Sequence, residues 1–279
     1  MKKILVAAFF AAALIPMVFA ASSVDAIQYV DSFSFMADNE QYVGLYEAIN
    51  NCMSANEVES RYETLKGSLG TTAQDWMTLM KASLNCAHYH LEVASKKDAK
   101  RAKELISYAQ TIYKALEKSG IDERLLMPLH FCLLSLDYLA HPLSIAKGLE
   151  SVSIIDKAYE AFPNELAIAN LYAARRLNAP AIGGGNATEA FEIYTSILSC
   201  IAPSKTDVPE VSKWELFDAY AGIAKCYEKQ KDSENALLYY KKALALYPRN
   251  EVVLEAIKGI SKQKPSKTAK KCIFCVLFC

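Results

Sequence analysis

The chain has 279 residues, 52% of them hydrophobic, with 31 basic and 31 acidic groups. That is long enough to bury a sizeable core and too apolar for a disordered polymer. The charges are segregated: Lys2 and Lys3 open the chain and Lys262, Lys264, Lys267, Lys270 and Lys271 form an acid-free run near its end, which leaves the body acidic. An acidic body without a basic stripe argues against nucleic acid as the partner.

In chain order, Lys2 and Lys3 precede an almost unbroken apolar run over residues 4–19, followed by Ala20, Ala21, Ser22 and Ser23. A short basic start, an apolar core and small residues at the exit predict a secretory signal peptide over residues 1–20. Val18 and Ala20 occupy the positions where the peptidase needs small side chains, which places cleavage after Ala20 and the mature protein in the periplasm or outside the cell. The run is at the short edge of the roughly 20 residues needed to span a bilayer, so retention as an anchor helix is the weaker alternative.

Beyond the signal the apolar residues recur at helical spacing, and no segment alternates in the manner of a strand. Less regular helices are expected between residues 25 and 69. First helices of successive pairs are expected at 74–95, 123–139 and 165–178. Each is followed by a second helix marked by small and aromatic positions: Ala102, Ile106 and Ala109, then Ile155 and Ala158, then Ala190, Tyr194 and Ile197. Loops are expected at 179–185 and 204–212. The clearest pair runs over residues 217–250, where Tyr220, Ile223, Ala224 and Tyr227 share one face. Lys231 and Asp232 make the turn there, and Ala236, Tyr240 and Ala243 precede Pro248. Small residues let two helices approach, aromatic ones fill the space beside them, and Pro stops the second helix.

That order resembles the tetratricopeptide repeat, a helical hairpin recurring about every 34 residues. Lys231 departs from the family, which usually has Gly at the turn. The resemblance implies an all-α, right-handed helical-hairpin solenoid with about four degenerate repeats after N-terminal helices. It would form one elongated domain over residues 21–260, since each hairpin buries its apolar face only against its neighbours. Residues 261–279 are expected as a basic tail with a Cys-rich apolar end.

Candidate chemistry is sparse. The run Gly183, Gly184 and Gly185 lacks the Lys and Ser/Thr that a phosphate loop needs, so it reads as a hinge. Asn186 then caps the next helix, with Glu189 completing a capping-box-like pair; the glycosylation pattern it also spells with Thr188 reads as coincidence. Cys86 and His90 share a helix face, but two ligands do not close a zinc site, so no metal and no cofactor are expected. Of the 8 cysteines, Cys52, Cys86, Cys132, Cys200 and Cys226 fall singly at helical apolar positions and read as buried thiols rather than disulfides. Cys272, Cys275 and Cys279 close an apolar end too short to span a membrane, though with the lysines before it that end could touch a membrane surface. No nucleophile is accompanied by a base in a recognisable motif, so no catalytic residue is expected.

The resemblance implies a concave groove lined by first helices. Its residues here would be Asn170, Ala174, Leu177 and Asn178 from one unit and Asp218, Lys225, Glu228 and Lys229 from the next. The expected function is an exported scaffold that binds another envelope or periplasmic protein, with a homo-oligomer compatible. The alternative, by fold-level analogy, is a periplasmic accessory subunit of a tripartite ATP-independent uptake system, binding an apolar ligand or the substrate-binding protein.

Overall fold

The computed structural model describes residues 27–201 and 210–262. Eleven α-helices make up the described chain: α1 Glu40–Asn50, α2 Ala55–Ser68, α3 Ala73–His88, α4 Ala99–Lys118, α5 Glu123–Ala140 and α6 Ile145–Ala161, then α7 Leu166–Asn178, α8 Ala187–Ile201, α9 Glu210–Lys229, α10 Ser233–Leu246 and α11 Glu251–Lys262. The expected signal segment, most of the 204–212 loop and the tail from residue 263 onward lie outside the described residues. Glu210 to Ser212, expected as loop, already belong to α9.

Most helices start where the sequence supplies a side-chain acceptor for an otherwise unpaired first-turn N–H. Asn39, Ser54, Thr72, Asp98, Asp122 and Asp232 accept from the backbone of α1, α2, α3, α4, α5 and α10. Thr72 and Asp75 complete a reciprocal capping box. At Asn186 the expectation holds by half. Its Oδ1 accepts from the Glu189 N–H at 3.2 Å, but the Glu189 carboxylate turns away to Arg176 Nε at 2.6 Å and Tyr172 OH at 3.0 Å. The hinge before it needs its glycines: Gly184 has φ +81°, and a Cβ on Gly185 would lie 1.9 Å from the Ala179 carbonyl oxygen.

Consecutive helices pack as antiparallel hairpins, α3 with α4, α5 with α6, α7 with α8 and α9 with α10, preceded by the N-terminal pair α1 with α2. The odd-numbered helices also touch in series, α1 to α3 to α5 to α7 to α9, and so form the inner face of the array. The positions read as helix-pairing residues are buried: Ala102, Ala109, Ile155, Ala158, Ala190, Tyr194, Ala224, Ala236 and Ala243 are all 0% exposed, and Tyr240 is 1%. The five cysteines among the described residues are free thiols, three of them buried and Cys52 and Cys200 half-buried.

The array is less extended than the sequence suggests, because its first and last hairpins meet. Trp214 at the start of α9 packs against Tyr46 and Tyr42 of α1 at ring-centroid distances of 4.9 and 5.8 Å. Tyr247, past the end of α10, reaches Tyr46 at 6.4 Å and Phe217 at 5.1 Å. Polar ties back this aromatic seam. Lys213 pairs with Glu47, and the Arg249 N–H donates to Asn51 Oδ1 at 3.3 Å. Asn250 uses one side-chain amide twice, capping α11 through Val253 N–H at 3.0 Å and donating to the Asn50 carbonyl at 2.8 Å. Buried aromatics of this size dominate the energetics of a contact. The closure is therefore part of the core and not a surface accident.

Candidate partner-binding face

Closure divides the inner face into two compartments, and seven of the eight residues read as groove line one or the other. Asn170 and Asp218 face an interior chamber with Lys81 of α3, Pro128 and Leu129 of α5, Glu215 and Trp214 of α9, and Phe33 and Met36 from the segment before α1. Leu177, Asn178, Lys225, Glu228 and Lys229 line a second cavity with Lys231, Ser233 and Ile260 of α11. Ala174 joins neither lining; it is 3% exposed and packs in the cluster shared by α7, α8 and α9.

Burial revises the open groove implied by the resemblance. Asn170, Leu177 and Lys225 are 5%, 0% and 4% exposed, Asn178, Asp218 and Glu228 are half-buried, and of the eight only Lys229 is exposed. The physical reason is the closure itself: helices that would face solvent in an open array face one another here, with the segment before α1 laid between them.

The interior chamber is small and acidic. Its volume of about 40 Å³ holds a water or two and no larger ligand. The Asn170 side chain donates to Glu215, while its Oδ1 has no hydrogen-bond partner. Burial raises the Asp218 carboxyl to about 8, against the opposing pull of Lys81 and Lys225. Glu215 rises well above the usual carboxylate range, again chiefly by burial and then by the charge of Asp218. Desolvation disfavours the charged form, and two carboxyls one helical turn apart add to the penalty.

The second cavity has a volume of about 590 Å³, within the usual range for ligand sites. Its floor is apolar, from Leu177 and Ile260, and its rim carries Lys229, Lys231 and Glu228. Two rim groups are held in place: Lys229 donates to the Leu177 carbonyl and Glu228 accepts from the Tyr240 hydroxyl. Consecutive hairpins α7/α8 and α9/α10 thus meet α11 around one concavity, a juxtaposition that no single repeat spells out.

The other candidates resolve into structural roles. His90 Nε2 donates to the Glu59 carboxylate at 2.6 Å, and Arg101 holds the same carboxylate at 2.8 and 3.0 Å. This cluster secures a π-helical turn, Tyr89–Val93, at the end of α3. Cys86 lies 0% exposed in the core. His88 is buried too, and burial, with Lys97 and Lys225 adding to it, lowers its pKa to about 4, so it is neutral at physiological pH. Among the described residues no group of three or more His, Cys, Asp or Glu side chains is arranged to hold a metal ion, and no helix is long and apolar enough to cross a membrane.

Compared with known families, residues 217–250 match the tetratricopeptide repeat model. No curated protein and no solved structure matches the chain.

Proposed function

We propose, from the premise that the chain carries a tetratricopeptide repeat at residues 217–250, that it is a non-catalytic scaffold which binds another protein of the cell envelope. The repeat supports a protein-interaction role. The carrying observation is the 590 Å³ cavity with an apolar floor and a lysine-bearing rim, built where two successive hairpins meet α11. Export rests on the basic-apolar-small order of residues 1–23. The alternative, an uptake-system accessory subunit that holds an apolar ligand, draws no support from the interior chamber among the described residues, which is acidic and about 40 Å³.

The test is charge reversal on the rim. Lys225 is unsuitable because it is 4% exposed, and a carboxylate there would be buried near Asp218. Lys229→Glu combined with Lys231→Glu acts on two exposed positions. We expect the double variant to keep its helical circular dichroism and to lose at least tenfold in recovery of the partner cross-linked to the unaltered protein in envelope fractions. Equal recovery by both proteins would remove this cavity from the interaction.

A further inference from the structure

The segment before α1 behaves as a ligand of the fold. Residues 27–31 lie across the array outside any helix, and after a turn at Ser32 and Phe33 the segment closes in a 3₁₀ helix, Ser34–Asp38. The Ile27 carbonyl accepts from the Cys200 thiol of α8 at 2.7 Å, and Val30 forms an isolated parallel bridge to Glu165. That bridge is made by main-chain atoms alone, Val30 N–H to the Asn164 carbonyl at 2.8 Å and Leu166 N–H to the Val30 carbonyl at 2.9 Å. The Val30 side chain itself is 47% exposed. Glu165 is 1% exposed, and its carboxylate accepts from the Ser32 N–H at 3.0 Å and the Ser32 hydroxyl at 2.7 Å. Phe33 and Met36 then line the chamber beside Trp214. Main-chain pairing for affinity, with a few side-chain pockets for selectivity, is how folded domains take up extended peptides.

One residue of this strap fits poorly. Asp31 brings a further carboxyl toward Glu165 and Glu215. Its Oδ1 accepts from the Phe33 N–H at 3.0 Å, but its Oδ2 is buried with no hydrogen-bond partner, and its proximity in charge to both Glu215 and Glu165 is unfavourable. An unsatisfied buried polar group weakens a contact by about tenfold or more.

We infer that the edge of the chamber between α7 and α9 is a docking site for a polypeptide segment that pairs once through its main chain and then turns into a short 3₁₀ helix, occupied in cis by the strap as an imperfect ligand. A partner segment displaces it when it offers a serine or threonine for Glu165, an aromatic next to it, a long apolar residue three positions further on, and no acid at the place of Asp31. The inference rests on the reading of the protein as a binder of other polypeptides and names what the bound segment looks like.

The test uses a fluorescein-labelled peptide of residues 27–38 carrying Asp31→Asn, titrated by anisotropy against the full chain and against a full chain with Ser32→Ala and Phe33→Ala. The second protein has a weakened strap and an intact receptor. Binding about tenfold tighter to the weakened-strap protein is expected, with Glu165→Gln lowering affinity in both backgrounds and the unaltered peptide sequence binding about tenfold more weakly. Should the double variant lose helicity, Ser32→Ala alone supplies the comparison, with a gain of severalfold. Absence of binding to either protein, equal binding to both, or indifference to Glu165→Gln overturns the inference. The Lys229 and Lys231 variants read a different cavity, so a peptide result and a partner-recovery result fail independently.

Discussion

Lys231 has φ +62°, in the left-handed region where a side chain crowds the following carbonyl by about 1–2 kcal/mol relative to glycine. It stands at the α9/α10 turn, where the repeat family prefers Gly, so a departure visible in the sequence is a strain visible in the backbone. Lys231→Gly relieves that strain and gives back part of the gain as unfolded-chain entropy. We expect a net stabilisation of roughly 0.5–1 kcal/mol, read as a higher urea midpoint with unchanged slope; a lower midpoint would mean that the lysine makes compensating contacts. At this scale the sequence was readable wherever the reason for a residue is local. The Asn186 cap follows from its own neighbours. The destination of the Glu189 carboxylate does not, because Arg176 and Tyr172 reach it from another helix.

Helices and their pairing were legible to within a few residues, since burial of one face at 3.6-residue spacing is written in each segment separately. Residues 165–178 and 123–139 were expected as first helices, and α7 and α5 occupy them almost to the residue. The close approach of α8 to α9 was missed, although a signal existed: Gly222 in the middle of a helix, a choice that otherwise weakens it. A Cβ at Gly222 would lie 2.4 Å from the Tyr194 ring, and Tyr194 is 0% exposed, so neither group can yield cheaply. Gly222→Ala should therefore destabilise by about 1–3 kcal/mol despite the better helix propensity of alanine. A rise in midpoint, the result for an ordinary exposed helical glycine, would refute this packing. The π-helical turn after α3 was equally hidden, because the Glu59, His90 and Arg101 cluster that secures it joins three separate helical segments.

The closure of the array was beyond a reading of local periods: Tyr42, Tyr46, Trp214 and Tyr247 look like ordinary core aromatics until the accumulated curvature of five hairpins brings them together. The candidate groove follows the same logic: its residues lie on α7 and α9, and closure turns most of them away from solvent. Closure also gives the molecule a distinctive dependence on pH. Asp218 is raised from 3.8 to about 8 by burial in the chamber, so the folded state holds this proton more tightly than the unfolded chain does. Its contribution to stability is complete below the unfolded value near pH 4, falls as pH rises, and is lost once pH passes about 8. Asp218→Asn keeps the shape of the protonated side chain and removes the titration. The variant should match the unaltered protein near pH 4 and melt higher by a margin that grows up to about pH 8, where a gain of only 1 kcal/mol would appear as roughly 2–4 °C in a chain of this size. Glu59 contributes with the opposite sign in a lower window: burial would raise its pKa, yet the hydrogen bonds from His90 and Arg101 hold it at about 2, so its share is present above about pH 4.5 and lost as pH falls toward 2. The Asn substitution leaves that acid limb untouched. Thermal melts of the two proteins between pH 3 and 9 separate the effects, and a loss of stability in Asp218→Asn at pH 8 would show instead that an ionised Asp218 works as a partner for Lys81.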